Sequence, residues 1–494
     1  MRATIVSGLL ASLLTLASAQ VRVVWRYVYT PPQDDLAAHL ERAVRLSDGG
    51  LMLLGWVETP LNGRDALAIR LLPSGAEAWV YQVDGAGFDD AFVDAIESAN
   101  ELRLLGQFTD ADGYLSAQVH RLTPAGQPIG VFTLSRTPNT HLRPLRFSDY
   151  DQSNANVVAE VVQGGVSQTL FYNASISGYR PFSPFSFRPW GVLPGDVAVD
   201  YPSAILGTVA TANNSVDAIF STLNYGLHRY SGAPRGVDIP AVGAVQRFAE
   251  RVNYYVGVQS EGGVFGEDAV LIRYSILGTV VWGYRYTNQW HDDYAEDLAI
   301  DAQGNASLLV KSVLWQGEPY ERRTLRLVRF SENGRLLSDA ELVEDGRPYL
   351  SGLVRVNETG QRYVAVSGAV LPDAPQGVSL LARVDASGQF LWRFVSEVDY
   401  DALFAESDGS LLTAGSLVFE GQGFPTPYYR RVVAVRYAPN GDLDGNGCVD
   451  DADLLQVLFA FGQQGADLAA DLNGDALVDD ADLLQVLFAF GEGC

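Results

Sequence analysis

A glycine that closes a short turn recurs through most of this chain at nearly constant spacing, and that period constrains the fold more than any other feature. The strings LLPSG, LTPAG, NASISG, STLNYG, RYSILG, RFSENG, RVDASG and RYAPNG end at Gly75, Gly126, Gly178, Gly226, Gly278, Gly334, Gly388 and Gly441, at intervals of 51, 52, 48, 52, 56, 54 and 53 residues. Between the turns, Val, Leu, Tyr and Phe fall in short alternating runs, as at 91–96, 102–106 and 116–122, and helical periodicity is absent. Four strands of about six to eight residues with their turns consume roughly 50 residues, which is one blade of a β-propeller. Residues 20–441 are therefore expected to form an all-β ring of blades.

The ends of this region predict how the ring closes. Trp79, Trp282 and Trp392 each stand four residues after a turn glycine, whereas Gly441 has no such strand behind it. The missing strand lies at the start, where VRVVWRYVYTPPQDD sets Trp25 and the pair Asp34-Asp35 as AWVYQVDGAGFDD sets Trp79 and the pair Asp89-Asp90. An N-terminal strand in that place completes the last blade and removes the ring's open edges. In this phase residues 20–441 divide into eight units, with seven blades as the alternative. The repeats resemble those of bacterial exported β-propeller proteins, in which a turn glycine, a Trp strand, an Asp pair and a Gly-Asn turn such as DAQGN (301–305) recur. That resemblance implies a fold and little about activity. Residues 143–240 keep the spacing but lose the Trp and the Asp pair.

Residues 442–494 carry a different pattern, used twice. DLDGNGCVDDADLLQVLFAFG starts at Asp442 and DLNGDALVDDADLLQVLFAFG at Asp471, a period of 29 residues. Oxygen-bearing side chains fall at loop positions 1, 3, 5, 9 and 12: Asp442, Asp444, Asn446, Asp450 and Asp453, then Asp471, Asn473, Asp475, Asp479 and Asp482. This is calcium-loop spacing, with the position 7 carbonyls of Cys448 and Leu477 completing two oxygen cages for two calcium ions. Four carboxylates in one loop repel each other without an ion, so the metal is expected to be part of the fold. Position 12 is Asp where the usual EF-hand has Glu, and position 6 is Gly447 in the first loop but Ala476 in the second. The turn at position 6 favours glycine, so the second site is expected to be the weaker.

Paired loops with Asp at position 12, each running into one helix, resemble a dockerin domain. The resemblance covers residues 442–494 and implies a helical module that binds two calcium ions and docks onto a cohesin domain. It places Asp451 and Ala452, with Asp480 and Ala481, at the positions that select the cohesin, where familiar dockerins often carry hydroxyl residues. Helices are expected at 453–461 and 482–490, apolar nearly all round with only Gln456 or Gln485 polar inside each. So small a module cannot bury both faces, which leaves a partner surface or a seat on the ring. The chain's two cysteines, Cys448 and Cys494, both lie here and suit a disulfide in an oxidising compartment, with a linked dimer as the alternative.

Residues 1–19 read as a signal peptide: Arg2, an apolar run over 5–16, then Ala17-Ser18-Ala19. No later apolar run approaches a membrane span, so a secreted or surface-attached protein is expected. A net charge of −25 disfavours nucleic acid as a partner. The last 53 residues hold twelve Asp or Glu and no Lys or Arg, so the acidity concentrates at the ion loops.

No catalytic constellation stands out. His39, His120, His141, His228 and His291 are scattered, and no nucleophile elbow, metalloprotease helix or phosphate loop occurs in a supporting context. The Asp pairs at 34–35, 89–90 and 292–293 read as turn residues bonded to nearby backbone. Residues 179–196, YRPFSPFSFRPWGVLPGD, read as a long connection whose Phe182, Phe185, Phe187 and Trp190 either stack a sugar or pack onto the blades or over the central channel. Trp290, beside His291 and Asp292, is a weaker candidate of the same kind. The favoured function is a non-catalytic exported binding or assembly protein attached through its calcium module to a cohesin-type partner, with a possible carbohydrate ligand. The alternative is an extracellular glycoside hydrolase or lyase recruited to a polysaccharide-degrading complex. A third reading, in which the module only clamps the ring, follows from the absence of a linker between Gly441 and Asp442.

Overall fold

A computed structural model describes residues 21–492 apart from 34–35, 61–62, 86–87, 99, 135, 149–155, 176–177, 186, 194–203, 211–215, 223–225, 232–237, 249–250, 262–265, 289–290, 315–321, 346–349, 372–373, 421–427, 445–447 and 467. Seven four-stranded antiparallel meanders follow one another, at 38–83, 91–133, 141–185, 188–230, 238–286, 291–345 and 351–396, and are numbered blades 1 to 7. Blade 8 takes three strands from 399–439, and its outermost strand is Val21–Val28, paired antiparallel with Tyr428–Pro439 from Val21↔Pro439 to Val28↔Val433. The ring is an eight-bladed β-propeller, closed by its first strand as Trp25 predicted. Blades 6 and 7 touch additionally through the bridge Glu344↔Val370.

The first strands of consecutive blades contact each other all the way round, so they form the inner wall of the ring. Between each pair of neighbouring blades sits one apolar core. Leu54, Ala68, Phe92, Leu104 and Phe108 fill the space between blades 1 and 2, and Leu40, Leu53, Ile69, Ala414 and Ala434 that between blades 8 and 1. A fully buried Leu, Val or Phe contributes about 1.5–3 kcal/mol, so the ring is held mainly by these side chains standing off alternate faces of each sheet.

The repeated glycine and tryptophan are two halves of one contact between blades. The turn between the third and fourth strands puts its glycine in the left-handed region (Gly75 φ +81°, Gly126 φ +80°, Gly334 φ +79°). The outer-strand Trp of the preceding blade lies flat on it: a Cβ at Gly75 would fall 2.3 Å from Trp25, and one at Gly126 would fall 2.6 Å from Trp79. Each indole N–H then donates to a carbonyl of that turn, Trp25 to Pro73 and Trp79 to Pro124 at 3.1 Å, Trp282 to Glu332 at 2.8 Å. An arginine of the preceding blade, five residues before that blade's own turn glycine, joins the contact. Arg273 donates to Glu332 O at 2.5 Å, Arg329 to Ala386 O at 2.7 Å, and Arg70 to Pro124 O. We expect Gly75→Ala to cost about 3 kcal/mol, from left-handed strain plus a displaced indole, measurable by denaturant unfolding. A loss below about 1 kcal/mol would show that the indole moves aside freely.

Two further sequence expectations meet the structure here. The described part of 179–196 is two strands and not an inserted connection. Gly178–Phe185 is the outer strand of blade 3 and Arg188–Leu193 the inner strand of blade 4, because prolines at strand edges do not interrupt a ladder that needs no N–H from them. Described members of the Asp pairs do bond to backbone, but Asp292 and Asp293 stand within the strand His291–Ile300 and not in a turn. Asp90 accepts from the N–H groups of Gly85 (2.6 Å) and Thr109 (2.9 Å), Asp293 from that of Asn288 (2.7 Å), and Asp292 from that of Glu267 (3.0 Å). Burial pushes the Asp90 and Asp293 carboxyls up to about 6. Asp34 and Asp35 lie outside the described residues.

Candidate metal centre and docking face

The C-terminal module contains two helices, α1 (Asp451–Ala460) and α2 (Asp480–Ala489). Both start two residues before the expected position, because the loop position 9 aspartates act as N-caps. Asp450 accepts from Ala452 N and Asp479 from Ala481 N, each at 2.8 Å, and Asp453 and Asp482 complete capping boxes. A small core of Leu443, Val449, Val457, Ala470, Leu472, Val478, Val486 and Ala489 joins the two halves. Val449 pairs with the chain after α2 (Gly491 N to Val449 O, 2.8 Å), and Val478 pairs with the chain after α1 (Gly462 N to Val478 O, 2.8 Å). The duplicated sequence is thus a duplicated structure.

In the first loop, Asp442, Asp444 and Asp453 bring carboxylate oxygens within 4.8 Å of one another, with Asp442 and Asp453 buried. Leu443 and Asp444 donate their N–H groups to Asp453 Oδ1 at 2.6 and 3.0 Å, and Asp450 donates to Oδ2 at 2.9 Å. Three converging carboxylates in a module without Lys or Arg fit a hard, oxygen-liganded cation. Asn446 lies outside the described residues.

The second loop repeats the scaffold. Asp482 accepts from Leu472 N (2.7 Å), Asn473 N (3.0 Å) and Asp479 N (2.9 Å), and Asp471 accepts from Gly474 N (2.8 Å) and Ala476 N (3.0 Å). Asp475 receives the N–H of Leu477 at 2.9 Å and the Asn473 amide at 3.0 Å. Burial raises the Asp471 and Asp482 carboxyls above the usual range, with Arg383 partly offsetting this at Asp471. Ala476 sits at φ +67°, the left-handed conformation expected at position 6. Ala476→Gly should relieve about 1 kcal/mol and, if the second loop takes calcium as its spacing leads us to expect, tighten it roughly fivefold in a calcium titration of the full chain. An unchanged titration would show that the ion-free loop carries the same strain as the ion-bound loop.

The second loop is also where the module sits on the ring. Gln361, fully buried in the first turn of blade 7, donates its amide to Asp471 Oδ2 at 2.9 Å. Its own oxygen is held by Tyr363 OH at 2.5 Å and Asn357 Nδ2 at 3.0 Å, which fixes the direction of the amide. Arg383 donates to the carbonyls of Asp471 (3.1 Å), Ala466 (2.9 Å) and Leu468 (3.0 Å). It stands five residues before Gly388, as Arg70, Arg273 and Arg329 stand before their turn glycines, so an arginine that elsewhere binds the next blade here binds the module. Gly441 faces Val486, and a Cβ there would lie 3.2 Å from its Cα. Sequence reasoning missed Gln361 and Arg383. The arginine at this spacing before six of the eight glycines was the available signal.

Neither helix takes part in that seat with its outer face. Leu455, Leu458, Phe459 and Phe461 are exposed, as are their counterparts Leu484, Leu487, Phe488 and Phe490, with Phe459 at 80 % and Phe488 at 84 %. Asp451, Ala452, Asp480 and Ala481 are exposed beside them at the helix starts. Cys448 is disulfide-bonded, and Cys494 lies outside the described residues. Of the aromatic group at 179–196, Phe187 is buried with Phe171, Ile205 and Ile219, whereas Trp190 is 47 % exposed. The side chains of Phe182 and Phe185, and Trp290, lie outside the described residues. No helix among the described residues is long and apolar enough to cross a membrane.

A scan against protein-family models finds no match, and no curated protein matches the chain. Solved structures share the fold at low identity. The chain is similar to the polysaccharide lyase Uly1 (8 % identity, TM-score 0.38, 69 % of this chain and 89 % of that one). It is similar to an ulvan lyase (11 %, 0.41, 79 % and 93 %) and to the WD40 domain of SCAP from fission yeast (10 %, 0.40, 84 % and 97 %). At these identities the likeness concerns the propeller fold alone.

Proposed function

We propose that this chain is an exported, non-catalytic binding or assembly protein, an eight-bladed propeller that attaches to a cohesin-type domain through a dockerin-like module holding two calcium ions. The observation that carries the reading is the pair of matching apolar faces on α1 and α2, left open to water while the module's seat uses its second loop instead. Contiguous apolar surface of this kind marks a protein interface.

Asp442, Asp444, Asn446, Asp450 and Asp453, with the Cys448 carbonyl, would hold one ion. Asp471, Asn473, Asp475, Asp479 and Asp482, with the Leu477 carbonyl, would hold the other. The ions supply only charge neutralisation, which lets the acidic loops close and sets the two helices at a fixed angle. A Cys448–Cys494 disulfide would tie the first loop to the end of α2. Phe459 and Phe488 are then the anchors, and the exposed Asp451 and Asp480 give the rim an acidic character that suits a partner with basic residues around an apolar centre.

The test is capture of a cohesin domain by the full chain with calcium and with a chelator. Phe459→Asp and Phe488→Asp together should weaken capture by at least about a hundredfold, since buried aromatic anchors carry roughly 2–4 kcal/mol each, while calcium uptake stays unchanged. Capture that survives the chelator, or the paired substitution, would end this reading.

A further inference from the structure

The inner wall of the ring carries an irregularity at one register. In seven of the eight blades the first strand slips by one residue against the second, between Leu40 and Arg42, Phe92 and Asp94, Pro144 and Arg146, Pro189 and Gly191, Pro240 and Val242, Ala295 and Asp297, and Tyr400 and Ala402. A β-bulge leaves its extra residue unpaired and re-aims the side chain. The extra residues are Glu41, Val93, Leu145, Trp190, Ala241, Glu296 and Asp401. Each is partly or fully exposed although the residue before it is buried in every case. Because these strands form the inner wall, the bulges set a circle of side chains around the central channel.

Four consecutive members of that circle, Glu41, Val93, Leu145 and Trp190, line a single cavity of about 400 Å3 together with Gln107, Arg143 and Arg146. That volume is within the range of small-molecule sites. Trp190 is 47 % exposed, yet its indole N–H is fixed by Thr208 Oγ1 at 3.2 Å, and Arg188 lies 5.5 Å from its ring centroid. An anchored indole open to solvent in a polar cavity has the form of a stacking platform for a ligand with one apolar face and many hydroxyls. The charge is the second observation. Arg143 and Arg188 share one buried carboxylate, Glu160, at 3.6 and 3.4 Å, and Arg146 adds a further guanidinium to the wall. Counting Glu41 as well, three arginines stand against two glutamates, so this side of the channel carries a small excess of positive charge in a chain whose net charge is −25. Guanidinium groups are suited to planar acid groups, and neutral hydroxyls find partners in Glu41 and Gln107.

We propose that this cavity binds an acidic saccharide, with a sugar face on Trp190 and its acid group on Arg143 and Arg146. The inference is independent of the docking module.

The experiment uses the full chain with calcium held constant and follows Trp fluorescence and calorimetry with trigalacturonate, a sulfated carrageenan tetrasaccharide and neutral galactotriose. An acidic probe should bind at least about tenfold more tightly than the neutral one, and whichever of the two acids binds identifies the acid group. Trp190→Ala should lose about tenfold with all probes and Trp190→Phe should recover most of it, while Arg143→Gln should remove the preference for acid and leave neutral binding unchanged. Phe459→Asp with Phe488→Asp, which impairs only the docking face, should bind the saccharide as the parent does, so failure here is separable from failure of the docking proposal. The proposal is overturned by equal binding of acidic and neutral probes, by parental affinity in a Trp190→Ala protein of parental thermal stability, or by no binding of any probe to the folded chain.

Discussion

Replacing Arg383 with methionine is expected to release the C-terminal module from the ring. Arg383 is 4 % exposed, and its guanidinium donates to three carbonyls, those of Ala466, Leu468 and Asp471, at 2.9 to 3.1 Å. Hydrogen bonds from a charged group contribute roughly 1.5–3 kcal/mol each and are not additive, so the loss should reach about 3–5 kcal/mol, part of it from buried carbonyls left without donors. Calorimetry should then show separate melting of ring and module where the parent is expected to melt as one unit, and proteases should cut near Gly441. Any calcium affinity of the second loop should fall with it, because Asp471 both meets Arg383 and Gln361 and is one of the proposed ion ligands. A single transition at the parental temperature would refute the role given to this arginine.

The second large effect is expected at Asp94, on the inner wall. Its carboxylate is fully buried, accepts the N–H of Phe147 from blade 3 at 2.9 Å, and contacts Arg42 of blade 1 at 2.8 Å in an ion pair too bent to count as a hydrogen bond. One side chain thus joins three blades. Asp94→Ala leaves a buried N–H and a mostly buried guanidinium without partners, a change that costs about 3–5 kcal/mol. Asp94→Asn should recover part of this, since it restores the acceptor for Phe147 but not the charge. Asp297, in the same place after its bulge, accepts Val354 N at 2.8 Å and pairs with Arg355, but keeps 15 % of its side chain exposed, so its removal should cost less. Urea unfolding measures all three. If Asp94→Ala loses under about 1 kcal/mol, water has entered to satisfy both groups and the buried staple is not structural.

The blade period was legible in sequence because each repeat ends in a turn that requires a left-handed glycine, and such a requirement leaves a fixed letter. Closure was legible for the same reason: Trp25 exists to cover Gly75, so it had to belong to a blade. The misreading of 179–196 came where that signal stops. Blades 3 and 4 lack the Trp, and a strand edge next to Pro-rich text resembles a loop when read one residue at a time. Within the module, the two helices were plain, because their caps and apolar runs are set by residues close together along the chain. The seat was not. Gln361 and Arg383 lie 110 and 88 residues from Asp471, and a contact made once has no period to betray it. The bulges were equally hidden, since a slip of one residue changes direction in space without changing composition.

The pairing of Val21 with Pro439 places the first strand and the last in one sheet, 418 positions apart along the chain. During synthesis, the strand at Val21–Val28 must wait without a partner until the final blade has emerged. The rate at which the circle shuts is therefore governed by a search across nearly the whole polypeptide, and the interface of blades 8 and 1 should be the last to gain protection from solvent exchange and the first to lose it.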